Sequence, residues 1–464
     1  MRSTCSPPSA RSSRQRRNKT PLHQSPMAIS RRGLPVHNIE TPSDPHPEPR
    51  TPGLPAGPWY RQVSRTGWQA LTVAGFAWTF EVFDVVTLAL TIPALIHDFG
   101  SSKAQLGSVA TVQAVGLIIG GIAGGWIAER IGRTKALSYA VALYAVLTGL
   151  TALAPSLEWV AALRFSAGLG MGATWSAGAP LVAETWPAAH RGKGGALMQG
   201  GIPIGNLLAL AAVAVVDHLA GGLDDGGWRW MFALGALPLI LAVYVRITTA
   251  ESPLWVSRKP ADRQHMVRTL LRRDRGPLLL TLAFTFCLQY LFWAVATFLP
   301  TYLQEIDHLT LGKSLVFLIV QQLGAILGFI GFGAVADRWG RKPTFLTYLA
   351  VSVFAIGLLI TVAAHPLVLG AAFLAGIGVS GVSAGIIPWT AEMMYRSPVR
   401  ALAMGFTYNG GRVGGAIAPF IVGALAVSTT GFRLGLGTAI VAAIGAMVLM
   451  GVSRETKGKD LVHQ

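Results

Sequence analysis

From Trp68 onward the sequence is a succession of apolar runs, each near the roughly 20 residues that a helix needs to cross a bilayer. Length and charge breaks place them at 68–96, 105–128, 135–154, 158–181, 194–216, 228–247, 277–303, 313–335, 344–363, 367–390, 402–427 and 433–452. Twelve such runs predict an all-α membrane protein with twelve transmembrane helices. Composition agrees, since 52% of residues are hydrophobic, 13% are charged and mean hydropathy is +0.50. Soluble domains carry roughly a quarter charged residues. Glycine, at 54 residues, is abundant, as expected where helices pack closely in lipid.

The net charge of +17 would suit a nucleic-acid binder, but its placement argues otherwise. Of 38 Lys and Arg, 11 fall in the first 66 residues, and no basic helix with interleaved aromatics is present, so no nucleic-acid partner is expected. The loops at 129–135, 190–193, 246–275, 337–342 and 396–400, with the C-terminal tail, hold 21 of the bases. The opposite loops hold Lys103, Lys313 and Arg433, while Arg164, Arg229 and Arg412 lie in or at the edge of helices. The positive-inside rule then predicts a multi-pass protein of the cell (inner) membrane with both termini cytoplasmic.

Residues 1–66 are rich in Pro, Ser, Arg and Thr without hydrophobic periodicity, and are expected to be a disordered basic tail. They contain no apolar core of a secretory signal, and Met27 is an alternative start for the chain. Asn18-Lys19-Thr20 is taken as a chance match to a glycosylation site. Cys5 and Cys287 have no disulfide or metal-binding spacing.

The longest break, 248–276, is basic and divides the chain into an N-terminal six-helix bundle at 67–247 and a C-terminal one at 277–453, followed by a cytoplasmic tail at 454–464. The halves echo one another. "GGWIAERIGRTK" at Gly124–Lys135 has the layout of "GFGAVADRWGRK" at Gly331–Lys342, with Glu129 and Asp337 standing 208 residues apart. "AETWPAAHRGKGGA" follows the fourth run and "AEMMYRSPVRALAMG" the tenth. Such an offset is the trace of a duplicated transporter fold, two pseudo-symmetric six-helix bundles around a midplane site.

The phrases Gly125–Lys135 and Gly333–Lys342 resemble the signature loops of the major facilitator superfamily. Arg164-Phe-Ser-Ala-Gly168, Glu184, "AESPLW" from Ala250 and "ETKGKDL" from Glu455 resemble the branch holding sugar porters and metabolite:proton symporters. The resemblance covers about residues 68–461. It implies a transporter that works by alternating access as a monomer, whose loops latch the bundles on the cytoplasmic side. The implied gate comprises Gly125, Glu129, Arg130 and Arg133 with Glu184 and Arg191, and Gly333, Asp337, Arg338 and Arg341 with Glu392 and Arg400. The bland alternative is that these charges only fix topology.

Ionisable groups inside a span are functional candidates by default. The first run, "AWTFEVFDVVTLALTIPAL", carries Glu81 and Asp84, three residues apart on neighbouring parts of one helix face. At 1.5 Å per residue Asp84 lies roughly 24 Å from Trp68, well inside the bilayer. The acid-x-x-Asp pattern resembles the first helix of aromatic-acid and sialate- or lactate-type proton symporters, which often have Asp at both positions; here Glu81 replaces the first. In related porters an Arg at the position of Arg164 pairs with this acid. Asp84 and Arg164 are therefore the expected proton-coupling pair, with Glu81 as alternate carrier; the alternative is a static ion pair.

Arg412, in "YNGGRVGGAIAPF", suits bidentate binding of a substrate carboxylate, or snorkelling to the interface. Tyr408 and Asn409 are weaker candidates beside it. Gln113, Trp175, Gln199, Asn206, Gln289, Trp293, Gln321, Gln322 and Trp389 are polar or aromatic residues placed to line a midplane site, although packing suits any one of them. Gly168-x-Gly170-x-Gly172 has no following Lys-Ser/Thr, and the Ser of "AESPLW" has no His–Asp arrangement, so no enzyme, metal or cofactor is expected. The expected partners are a small-molecule substrate, protons and the lipid bilayer. The leading expectation is proton symport of a small organic acid anion. Sugar or polyol symport, proton-driven efflux and a non-transporting solute sensor are the alternatives.

Overall fold

The computed structural model describes residues 57–257, 266–305, 311–361, 365–394, 399–426 and 428–461. The tail up to residue 56, and 258–265 of the basic connection between the halves, lie outside the described residues. Lipid offers no hydrogen-bond partners, so a spanning backbone must satisfy its own amides and carbonyls, which a helix does within one segment. The described residues accordingly form helices and connecting turns without a strand.

Among them the chain makes twelve helical passes. The first six are Arg65–Phe99, Lys103–Ile131, Arg133–Thr151, Leu157–Thr185, Arg191–Gln199 continued by Gly201–Ala220, and Trp228–Leu234 continued by Pro238–Thr248. The second six are Arg275–Glu305, Leu311–Trp339, Arg341–Thr361, His365–Ala375 continued through to Ile386–Met393, Arg400–Leu425 and Thr429–Val452. Nine of these segments are long and apolar enough to cross a membrane by themselves. The other three, Arg133–Thr151, Leu157–Thr185 and Arg400–Leu425, contain buried Arg133, Arg164 and Arg400.

The helices extend past the apolar runs because their ends are set by polar caps. Ser64 accepts from the Gly67 amide at 3.1 Å, Ser428 from Gly431 at 3.1 Å, and Ser102 forms a reciprocal capping box with Gln105. Three passes are interrupted in ways their hydropathy does not reveal. The fifth turns at Gly200, the sixth breaks before Pro238, and the tenth passes through a π turn at Gly376–Ser380 and a 3₁₀ turn at Gly381–Gly385.

Small residues decide which passes touch. Gly116, Gly120 and Gly124 recur every fourth residue on the second helix, and a Cβ at each would meet Phe165, Leu169 and Ala173 of the fourth. The second half repeats the device 208 residues on, with Gly324 and Gly328 of the eighth helix lying against Phe373 and Ile377 of the tenth. Without hydrophobic drive between helices in lipid, such close backbone approach supplies the packing energy. Gly75, with nothing within 4 Å of its would-be Cβ, provides the contrast.

Gly120→Ala should therefore lower the unfolding temperature of the detergent-solubilised protein, at a cost of about 1–3 kcal/mol from overpacking. Gly75→Ala should leave it unchanged or slightly higher. Equal temperatures for the two variants in a thermal-shift scan would contradict the packing role of the second–fourth helix seam.

Candidate functional site

Two regions join the halves, a lattice of charges at the end carrying the basic loops and a polar, aromatic patch at mid-depth. At the basic end, Glu129 closes the second helix and accepts from Arg133 Nη1 at 2.8 Å. Its other oxygen crosses to the second half, accepting the Ala401 amide at 2.6 Å in the first turn of the eleventh helix. A carboxylate at a helix N-terminus meets both an orphan amide and the positive end of the helix dipole. Arg133 also donates through Nε and Nη2 to Glu184, each at 3.2 Å, and Arg400 of the second half donates to Glu184 at 3.0 Å.

The mirror arrangement is built from the other half. Asp337 accepts from Arg341 Nη1 at 2.7 Å and, across the seam, from the Gly192 and Lys193 amides at 2.9 and 3.0 Å in the first turn of the fifth helix. Arg341 holds Glu392 through Nε and Nη2 at 3.0 and 2.9 Å, and Arg191 reaches Glu392 from the first half at 3.2 Å. The two halves thus exchange equivalent bonds. Gly125 packs under Ala401 and Leu402, and Gly333 under Lys193 and Ala196, which lets the helices approach closely enough for these bonds. Arg130 and Arg338 are exposed; Arg130 lies over the Trp126 ring at 3.8 Å.

Two acids missed as site residues complete the lattice. Glu251 accepts the amides of Arg133 and Thr134, capping the third helix, and Glu455 accepts those of Arg341 and Lys342, capping the ninth. Gly132 and Gly340, at φ of 105° and 115°, turn the chain in the conformation that leaves room for these carboxylates. Ser252 and Thr456, each next to its acid, donate to Glu184 and Glu392 at 2.5 and 2.8 Å. The sequence signal was the near-equal spacing of "AESPLW" and "ETKGKDL", which family resemblance marked without assigning a role.

At mid-depth Glu81 and Asp84 part company. Asp84 faces into the first half, where Arg164 Nη1 donates to it at 2.9 Å and Arg164 Nη2 binds Thr148 and Thr151 at 2.8 and 3.1 Å. Glu81 faces the seam and pairs with Arg412 of the eleventh helix at 2.9 Å. Beside that pair Trp175 stacks on Tyr408, ring centroids 3.9 Å apart at 10°, and Trp78 meets Tyr408 edge-on at 6.0 Å. Gln199 bridges Trp175 Nε1 and the Ser383 carbonyl, the latter in the 3₁₀ turn of the tenth pass, and Asn409 donates to Ser176 at 3.1 Å. Four buried polar atoms on the seam residues have no hydrogen-bond partner, Trp78 Nε1, Glu81 Oε2, Asn409 Oδ1 and Arg412 Nη1, and Arg164 Nε inside the first half has none either. Unmet donors and acceptors gathered beside an ion pair are what a polar ligand would satisfy.

The remaining candidates lie elsewhere. Gln113 is buried against Met171 inside the first half, and Trp389 packs on Phe284 and Phe345 inside the second. Trp293 is partly exposed beside Gly415, Asn206 and Gln322 are half-buried and Gln321 is buried; Gln289, half-buried, instead borders the patch through a side-chain hydrogen bond with Tyr408, and none of these five takes part in the cross-seam bonds described above. Trp78 and Ser176 join the seam although sequence reasoning did not single them out.

A profile of the Major Facilitator Superfamily matches residues 70–333 and 314–462. The chain is similar to the sialic acid transporter NanX of Escherichia coli, 28% identical over 405 residues that cover 86% of this chain and 97% of that protein. It is also similar to the niacin transporter NiaP of Acinetobacter baylyi, 26% identical over 438 residues covering 86% and 96% of the two chains. Among solved structures, the proton:xylose symporter XylE aligns with a TM-score of 0.70 at 19% identity, over 85% of this chain and 97% of that one, which establishes a shared fold.

Asp337→Asn should weaken the closure at the basic end. With Cys5 and Cys287 replaced by Ser and spin labels at Lys135→Cys and Thr347→Cys, electron–electron distances should shift to longer values in the variant. An unchanged distribution would remove Asp337 from the closure. The carboxylate of Glu455 has a separate signature. Burial pushes its pKa up, but the amides of Lys457, Arg341, Lys342 and Thr456 outweigh this and hold it below the ordinary 4.5. Its stabilising cap is thus fully present above pH 4.5 and is lost as pH falls through the lowered value. The difference in melting temperature between the native chain and Glu455→Gln should be constant from pH 7 to 5 and shrink below that.

Proposed function

The chain belongs to the Major Facilitator Superfamily, and from that premise we propose that it carries a small organic acid anion across the membrane together with protons. The site is the mid-depth seam, and alternating access comes from the halves rocking about it while the basic-end lattice makes and breaks. The basic end faces the cytoplasm of the cell (inner) membrane, following the distribution of its charged loops, and the monomer is the working unit.

The observation that carries this reading is the Glu81–Arg412 pair, one cation shared across the seam, with spare polar atoms on both partners. A substrate carboxylate has the charge and fork geometry to take Arg412 from Glu81. Glu81, released into a water-poor site without its counter-ion, then favours the protonated form. Anion and proton thus load together because they answer to the same guanidinium. Asp84–Arg164 serves as the second element of coupling, held ready inside the first half by Thr148 and Thr151. Trp78, Trp175 and Tyr408 pack on one another next to the cation, and parting the halves would free their faces for a planar ring, which favours aromatic acids. The relatives named for sialic acid and niacin both concern carboxylic acids, and this supports the anion class.

The test is uptake of benzoate-type acids, pyridine carboxylates and sialic acid into proteoliposomes holding a pH-sensitive dye. One of these should acidify the lumen of vesicles bearing the native chain. Arg412→Ala should lower kcat/KM at least about 100-fold, the loss expected for a charge-assisted carboxylate contact. Glu81→Gln should keep substrate binding while uncoupling it from proton entry. Uptake of a neutral sugar alone, or coupling intact in Glu81→Gln, would overturn the assignment.

A further inference from the structure

A second site lies outside the seam, on the flank of the basic end. The helix Met266–Arg273 leads from the connection between the halves into the seventh pass. It seats Met266 and Leu270 on the second half, against Leu278, Met394, Val399, Leu402 and Ala403. Its other side is open to solvent. Arg268 and Arg272 are exposed there, and Val267 and Leu271 are 53% and 56% exposed. Facing them, from the end of the second helix in the first half, are Trp126 and Arg130, the guanidinium lying over the indole at 3.8 Å. Together these residues line an open cavity of about 570 Å³.

We propose that this cavity binds the headgroup of an anionic phospholipid. Three arginines converge on it, from two different elements, with no acidic residue among its described lining residues. The seventh pass begins directly after the helix and the second ends at Ile131, so the cavity stands at the membrane surface where lipid phosphates lie. Val267, Leu271 and the Trp126 ring give the acyl end an apolar bed, which a free phosphate ion would leave uncovered. Arginine pairs phosphate oxygens bidentately, and basic pockets between helices near the surface hold anionic lipid in this way.

Position gives the site a consequence. Arg130 follows Glu129, whose carboxylate holds the Ala401 amide, while Arg268 and Arg272 ride on a helix seated against the neighbouring Leu402. One headgroup bridging these arginines spans the two halves beside the latch and favours the arrangement seen here, closed at the basic end.

The purified full chain in detergent is titrated with short-chain phosphatidylglycerol, with phosphatidylcholine and with inorganic phosphate, and binding is read by native mass spectrometry and by thermal shift. Phosphatidylglycerol should bind and raise the unfolding temperature. Arg268→Ala with Arg272→Ala should weaken that binding about 30-fold, at roughly one kcal/mol for each juxtamembrane charge, with the lipid-free unfolding temperature unchanged. Lysine at both positions should restore part of it, supplying the charge without the bidentate geometry. Undiminished phosphatidylglycerol binding in the alanine pair, failure of the lysine pair to recover, or equal binding of phosphatidylcholine would overturn the proposal. A shift produced by inorganic phosphate alone would assign the cavity to a soluble ion instead.

Discussion

An apolar helix in a bilayer gains nothing by leaving lipid for another apolar helix, so shape and buried polarity must hold these twelve passes together. The chain divides the two between different boundaries. Inside each half the joints include glycine against backbone, as along Gly116, Gly120 and Gly124, packed too closely to admit a Cβ. Between the halves the joints also include carboxylates, guanidiniums and helix-end amides. Close-packed backbone resists sliding, whereas a set of ionic bonds has an alternative partner in water. The result is two stiff bodies joined by a seam that can open.

How such a seam would open follows from the energetics of buried ions. Stripping one partner from a buried pair costs about 3–5 kcal/mol, because the other charge is left dry and alone. Glu129, Arg133, Glu184 and Arg400 share partners, as do Asp337, Arg341, Glu392 and Arg191, so no single bond can leave at low cost. Separating the halves together wets all of these groups at once and restores their hydration. The lattice therefore favours two extremes over any partly open form, as the proposed alternating access needs. Mid-depth contacts differ in kind. Asp84–Arg164 is braced by threonine hydroxyls and has a spare atom only on the arginine, while Glu81–Arg412 keeps an unused atom on each partner.

Much of this was legible in the residue order. Span length and charge breaks located the passes, and the 208-residue echo of Glu129 in Asp337 exposed the duplication. Each of those signals is local in sequence or repeats within it. What escaped depends on register between distant segments. That Glu81 faces Arg412 while Asp84 faces Arg164 follows from about 60° of rotation around one helix face, and spacing alone left both acids as candidates. The Trp175–Tyr408 stack joins the fourth and eleventh helices, and no periodicity in either one points to the other. The π and 3₁₀ turns of the tenth pass were hidden because glycine and alanine read as apolar whether the helix is regular or not. Glu251 and Glu455 were passed over as loop acids because their partners are amides, which every residue possesses.

That last point extends to the latch itself. At two of the crossings the acceptor is a side chain, Glu129 or Asp337, but the donors include the main-chain amides of Ala401, Gly192 and Lys193. Information about the closure is therefore stored unevenly between the halves of each contact. The acidic positions have almost no freedom, since only a carboxylate of the right reach can fill them. The donor positions can exchange side chains widely, provided proline is kept out and the helix still starts at the same residue. Descendants of such a chain can drift in composition on the amide face of each latch while the latch persists, and a survey of variable positions there would understate what that face does.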